Sequence, residues 1–161
     1  MLNDDAVSRK GEWLTPKNEE IGYLDQYYFL LNDHETVFES IKKVTPNWPE
    51  LKIRHHLTDF LFFNNEEIYA KAAVLSGGER ARLCLAQISA RSPALLVLDE
   101  ITNNIDLETR EHIIQVLKAY PGALLVISHD EAFLREIEVT DYYVCQDKRI
   151  HCYENLDNEK L

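Results

Sequence analysis

At 161 residues the chain has room for one domain of ordinary size, and its 45% apolar content supplies a core and excludes global disorder. The net charge of −11, with no basic run, excludes a nucleic-acid surface built by this chain itself, because phosphate contacts need clustered Lys and Arg. No apolar run reaches the ~18 residues of a membrane span, and the acidic start Met1-Leu2-Asn3-Asp4-Asp5 lacks the apolar stretch of a secretory signal, so a cytoplasmic location is expected.

Residues 1–20 are polar, carry few periodic apolar positions and read as an irregular lead-in. Ile21–Gln26 reads as a short strand ending in a polar residue. Asn32-Asp33 are placed to cap a helix through Thr36–Ile41, which Thr45-Pro46-Asn47-Trp48-Pro49 breaks. Leu51, Arg54, Leu57, Phe60 and Leu61 recur at helical spacing, so a second helix is expected from Glu50 to Phe62. Asn64-Asn65 end it or cap a short third helix over Glu66–Ala72. A helix from Glu79 to about Ala90 follows the Ser76-Gly77-Gly78 turn and stops at Ser92-Pro93.

Ala94–Leu98 and Ala123–Ile127 are wholly apolar and of strand length. Such runs suit parallel strands covered by helices on both faces. Ile113, Ile114 and Leu117 mark a crossover helix between them, ended by Pro121-Gly122, which makes a βαβ unit. Asp130–Ile137 reads as a further helix, Asp141–Tyr153 as a β-hairpin and residues 154–161 as a charged tail. Cys84, Cys145 and Cys152 contain no CxxC pair, so no zinc site is expected. Cys84 falls in a helical pattern and reads as a small apolar core residue. Cys145 and Cys152 flank the turn Gln146–Arg149 and can face each other across the hairpin.

Three segments carry chemistry. Gly77 and Gly78 open a helix whose free N–H groups form an anion seat, with Ser76 adding a hydroxyl; the same residues also make an ordinary tight cap. Asp99 and Glu100 end an apolar strand, where open α/β sheets bind ligands. There Asp99 can hold Mg²⁺ and Glu100 can polarise a water for attack on a phosphate, unless both acids simply begin a solvated loop. His129 ends the next strand, where an imidazole can stabilise charge on a transferring phosphoryl group or merely cap the following helix. His55 and His56 point to different sides of one helix and read as solvent-exposed.

Taken together, these segments resemble the nucleotide-binding domain of ABC ATPases over about residues 20–153. Leu75-Ser76-Gly77-Gly78-Glu79 is similar to the signature motif of that family, Leu95–Glu100 to its Walker B strand, Ile101-Thr102-Asn103-Asn104-Ile105-Asp106 to its D-loop, His129 to its switch histidine and Gln26 to its Q-loop glutamine. Ile21–Gln26, Phe60-Leu61-Phe62, Thr102–Asp106 and Ser128–Leu134 look most like the ABC-F group, soluble proteins with two such domains, several of which act on the ribosome. Ile101 stands where that group usually has proline, and Asn104 where histidine is common.

The resemblance implies an α/β fold of the P-loop NTPase (ABC) type: a mostly parallel sheet, a helical subdomain over residues 27–90 and a C-terminal β-hairpin within a domain spanning 21–153. It implies ATP and Mg²⁺ as cofactors, with Glu100 and His129 catalytic, Asp99 and Gln26 at the metal, and Ser76, Gly77, Gly78, Glu79, Gln26 and Asp106 at the nucleotide. As partners it implies a second ABC domain, and ribosome association through a longer protein, to which the acidic charge adds nothing.

The five glycines are Gly11, Gly22, Gly77, Gly78 and Gly122, and none begins a GxxxxGK[ST] phosphate loop. The 161 residues therefore read as the C-terminal portion of such a domain. The loop supplies most donors to the β- and γ-phosphates, so this chain alone is expected to bind ATP very weakly and hydrolyse it negligibly. In the family the phosphate-loop strand lies beside the strand that ends at the switch histidine. Without it, Ala123–Ile127 is expected to keep an unpaired apolar edge, inviting self-association or docking of a chain that carries the missing half. A catalytically silent module that binds an intact ABC domain is the alternative, as is a product without function.

Overall fold

Three strands, β1 (Ile21–Asp25), β2 (Leu95–Asp99) and β3 (Ala123–Ile127), form a parallel sheet in the order β1-β2-β3. The computed structural model describes residues 16–102, 105–147 and 149–153. The expectations for residues 1–15, for Asn103-Asn104 and for the tail 154–161 lie outside the described residues. Asn18–Glu20 form a 3₁₀ turn leading into β1. The strand register is continuous, with Asp25 beside Asp99 and Asp99 beside Ile127, so the three strands end level with one another.

Between β1 and β2 lie α1 (Val37–Val44), α2 (Glu50–Asp59), α3 (Asn65–Ile68) and α4 (Gly77–Arg91). Thr36, rather than Asn32-Asp33, caps α1: its hydroxyl accepts from the Glu39 amide and the Glu39 carboxylate returns to the Thr36 amide. Asn32 instead accepts from the His34 amide, and backbone bonds from Val37 to Ala70 and from Ala72 to Glu35 hold the chain extended up to Thr36. The buried side of α2 is Ile53, Leu57 and Phe60, while Leu51 is exposed, so the expected stripe was rotated about half a turn at its start. His56 is also not simply solvated: its Nε2 lies 2.8 Å from the Ala86 carbonyl and its ring sits against the Trp48 edge.

Helix α4 runs through the centre. Leu83, Cys84, Leu85, Ala86 and Ile88 are buried along it, and the Gln87 side chain donates to the Ser40 carbonyl of α1. Burial pushes the Cys84 thiol well above its ordinary pKa, which fits an apolar core role. A Cβ on Gly22 would sit 2.9 Å from the Ile88 Cγ2 and Pro93 Cγ atoms, so β1 approaches α4 closely only because that side chain is missing.

α5 (Leu107–Lys118) crosses from β2 to β3 and buries Ile113, Ile114 and Leu117, as the βαβ reading requires. Then come α6 (Glu131–Glu136) and a separate antiparallel hairpin of β4 (Tyr142–Gln146) and β5 (Arg149–Tyr153). Hairpin pairing sets Tyr143 opposite Cys152 and Cys145 opposite Ile150, so the two cysteines are diagonal neighbours rather than facing partners, and both are free thiols. A slip of two residues in register separates the expected pairing from the observed one.

The sheet departs from expectation in one respect that bears on function. Leu24, Leu96 and Leu98 are buried on one face; on the opposite face Val97 and Asp25 are buried, but Tyr23 (49% exposed), Leu125 (44%) and Ile127 (48%) are open. Among the described residues β1 and β3 are the two edge strands of this sheet. An apolar run reports that a strand suits burial; it does not report that a covering layer is present.

His112 on α5 gives a test of the packing. Its ring stands edge-on to Phe60, its Nε2 is buried without a partner among the described residues, and burial, reinforced by the nearby Arg82 charge and opposed by Asp59, holds its pKa below the ordinary value. The unfolded chain accepts a proton near pH ~6.5 that the folded chain resists. Its contribution to stability is therefore present above that pH and is lost as pH falls through the depressed folded value. The urea midpoint is expected to fall between about pH 7.5 and about pH 5.5, and to fall less in His112→Phe.

Candidate functional site

The level strand ends assemble the site. Asp99 is the last residue of β2 and Glu100 follows it; Ser128 and His129 follow β3; Gln26 follows β1 and is exposed. The register thus brings Gln26, Asp99, Glu100 and His129 to one sheet edge, as the sequence placed them.

Glu100 has φ 53°, in the left-handed region, and its amide donates to the Ile127 carbonyl at 2.9 Å. This turns the chain sharply as it leaves β2 and aims the carboxylate across to the next strand end. A non-glycine residue held there costs about 1–3 kcal/mol, a strain that clusters at functional sites. Oε1 of Glu100 lies 2.8 Å from His129 Nδ1, and Oε2 is buried with no partner among the described residues. An ionised carboxylate can only accept, so Nδ1 carries the proton in this pair and Nε2 is left for another group. The His129 side chain is 78% exposed, which leaves that nitrogen open to solvent or ligand.

Asp99 is held by a contact that sequence reasoning missed. The Tyr23 hydroxyl donates to Asp99 Oδ2 at 2.8 Å, and that bond, followed by burial, raises the tyrosine pKa. Residues 23 and 25 of β1 share the face of Asp99, so the period-two rule applied to the paired strands would have found it. Asp25 is a second missed acid. It is buried at 8% exposure next to Asp99 in the register, and its Oδ1 accepts from the Tyr27 amide at 2.7 Å.

The Ser76-Gly77-Gly78 turn lies elsewhere, at the start of α4. Ser76 is its cap: the Glu79 amide donates to Ser76 Oγ at 3.3 Å, and Glu79 Oε2 accepts from both the amide and the hydroxyl of Ser76 at 2.7 Å. The Glu79 carboxylate is thus engaged in the cap. Ser76 and Gly77 are exposed, whereas Gly78 is buried. A Cβ on Gly78 would meet Asp106 Oδ2 and Thr109 Oγ1, each at 2.8 Å. The second glycine is therefore demanded by packing within the chain, and only Ser76 and Gly77 present the turn outward. Asp106 caps α5, accepting from the Thr109 amide and hydroxyl, each at 2.8 Å, and those bonds lower its carboxyl pKa.

ATP and Mg²⁺ fit this donor set in part. Asp99 and Gln26 offer hard oxygen donors at the sheet edge, but among the described residues no group of three acids, histidines or cysteines could hold a metal alone. That suits Mg²⁺, which is usually held by one or two carboxylates together with substrate phosphates. Among the described residues no helix is long and apolar enough to cross a membrane.

The family described as "ABC transporter" matches residues 1–103. "Probable ATP-binding protein YheS" of Haemophilus influenzae is 33% identical over 151 residues, covering 93% of this chain and 23% of that protein. "Putative ATP-binding protein YdiF" of Bacillus subtilis is 38% identical over 120 residues, covering 74% and 18%. "ATP-binding cassette sub-family F member 3" of Mus musculus is 33% identical over 147 residues, covering 91% and 20%. The chain thus spans about a fifth of the length of the curated relatives it matches. The fold is similar to that of the dimeric, post-hydrolysis ATP-binding cassette MJ0796 bound to ADP and Pi, with TM-score 0.66, 22% identity and coverage of 81% of this chain and 62% of that one. With a family match over more than half of its residues and ABC-F proteins among its relatives, the chain belongs to the ABC ATPase family.

Proposed function

We propose that this chain supplies the Walker B, signature and switch parts of an ABC-F-like ATP-hydrolysing site, the phosphate loop coming from another segment or chain, and that ATP binding and hydrolysis there drive a conformational change. The observation that carries the reading is the common edge of Gln26, Asp99, Glu100 and His129, set by the strand register. The relatives' names as ATP-binding proteins support the nucleotide, and the dimeric MJ0796 cassette supports a second ABC domain as partner.

In this reading Asp99, oriented by Tyr23, and Gln26 would hold Mg²⁺, which would supply positive charge to offset that of the phosphates. Glu100 takes a proton from the attacking water while the Nδ1–H of His129 holds its side chain in place; in the imidazolium form the exposed Nε2–H of His129 can also donate toward the phosphoryl oxygens. Ser76 and Gly77 close over a nucleotide held by the partner domain.

The open edge of β3, with Leu125 and Ile127 exposed, is the docking place for the segment that brings the phosphate loop. Strand addition there would continue the parallel sheet. The chain alone is expected to self-associate at high concentration and to bind ATP very weakly. Mixed with a phosphate-loop half, it should form a one-to-one complex that binds and hydrolyses ATP, read by light scattering and phosphate release. A soluble monomer that stays monomeric and inactive in the mixture would sink the proposal.

A second reading is a silent module that binds an intact ABC domain. The exposed Ser76-Gly77 turn favours it, since that turn needs no phosphate loop of its own chain. Binding of the chain to an intact ABC domain without any turnover from the phosphate-loop mixture would select this reading.

A further inference from the structure

β1 ends in a turn that buries its two outer residues and exposes its two middle ones. Asp25 and Tyr28 are each 8% exposed, while Gln26 and Tyr27 between them lie outside. Two bonds close the turn. Asp25 Oδ1 accepts from the Tyr27 amide at 2.7 Å, and the Asp25 carbonyl accepts from the Tyr28 amide at 3.2 Å. Tyr28 is held at φ 57°, a left-handed backbone that costs a non-glycine residue about 1–3 kcal/mol. Its side chain belongs to the core cluster, and that burial offsets the strain. Asp25 also stands next to Asp99 in the strand register, and like charges so close repel one another. An apolar residue would end the strand without that repulsion, so the acid serves the turn rather than the packing.

We propose that Asp25 is a positioning residue: by closing the turn around Gln26 it holds that residue at the sheet edge beside Asp99, so that the two residues that would hold Mg²⁺ are already together without it. Asp25 is not itself placed as a ligand, since it is buried and its Oδ1 is taken by the Tyr27 amide. It acts through Gln26, whose backbone lies between the two bonds of the turn. A group one bond removed from a metal ligand typically changes metal affinity about 10–100-fold when it is lost, because the ligand must then be ordered by the ion itself. This role rests on the ATP reading above, but the turn is a property of the chain without nucleotide.

The test has two arms. On the full chain without nucleotide or metal, amide hydrogen exchange is followed at Tyr27. Asp25→Ala and Asp25→Val both remove the acceptor, the second with a side chain that suits a strand end. Each is expected to accelerate exchange at Tyr27 by up to about tenfold, as for loss of one hydrogen bond, while Leu96 and Leu98 in β2 keep their rates. Asp25→Asn, whose side-chain carbonyl can accept the same bond, is expected to keep the wild-type rate. In the phosphate-loop mixture, Asp25→Ala is expected to raise the Mg²⁺ concentration for half-maximal turnover about tenfold, again with rescue by Asp25→Asn. In a Gln26→Ala background it is expected to add nothing, because both changes act through one residue. Additive effects of Asp25→Ala and Gln26→Ala, an unchanged Mg²⁺ requirement, or failure of Asp25→Asn to rescue would overturn the proposal. So would acceleration at Leu96 and Leu98 in step with Tyr27, which marks a loss of overall stability. Failure of the ATP reading would appear instead as absent nucleotide binding by the wild-type mixture, with exchange at Tyr27 and its rescue as expected.

Discussion

Glu100→Gln is expected to abolish ATP turnover by the chain mixed with a phosphate-loop half while leaving nucleotide binding in place. Glutamine keeps the length and planarity of the side chain, so it keeps the packing at the end of β2 and the contact with His129. It removes the carboxylate oxygens that the proposal assigns as the proton acceptor at that edge. A well-placed general base contributes about 10²–10⁴-fold to a rate, so the loss should be at least a hundredfold. The strained backbone of Glu100, at φ 53°, and its buried Oε2, without a partner among the described residues, both indicate a carboxylate placed for something other than stability. Single-turnover phosphate release is the measurement, with nucleotide binding followed separately. Turnover within a few-fold of wild type would remove Glu100 from the chemistry.

How much of this site the sequence shows depends on whether the deciding contact is local. β2, α5 and β3 were legible because each is an unbroken apolar run or a clear helical period, and the parallel register follows from the crossover between them. Ser76 capping α4 was legible for the same reason, since cap and partner are three residues apart. The Tyr23–Asp99 bond joins residues 76 positions apart, so only the strand register brings it into view. Asn32 and Thr36 each precede a Glu by three residues, and both could cap α1. The choice fell to Thr36 because bonds to Glu35 and Val37 from distant residues hold the intervening chain extended. Gly78 shows the limit most clearly: its residue type suggested approach to a ligand, yet its neighbours are Asp106 and Thr109. The open face of the sheet was hidden in a different way. An apolar strand face looks the same in sequence whether its cover lies in the same chain or in another one.

Phe133→Ala is expected to cost the largest share of stability of any single truncation near the site. Phe133 is fully buried on α6, and its amide donates to the Asp130 side chain that caps the helix. The Arg110 guanidinium lies over its ring at 5.7 Å and also pairs with Asp130 and Glu136, so the ring sits beneath the ionic contacts that tie α6 to α5. Those pairs are largely surface contacts, worth little each; the buried ring is the anchor. Truncating a buried Phe costs about 3–5 kcal/mol through lost transfer energy and the cavity left behind, against about 5–15 kcal/mol of total stability for a typical domain. α6 is only six residues long and cannot persist by helix propensity alone. Its undocking would free the segment from Ser128 to Asp130 and with it the His129 contact to Glu100. The urea midpoint should therefore fall sharply with an unchanged slope, and the His129 imidazole resonances should move toward those of a solvated histidine. Phe133→Leu, which keeps most of the volume, should cost about 1.5 kcal/mol or less and leave His129 in place. A loss below about 1 kcal/mol for Phe133→Ala would mean that α6 is held by its ion pairs, and that His129 owes its position to the surface rather than to the core.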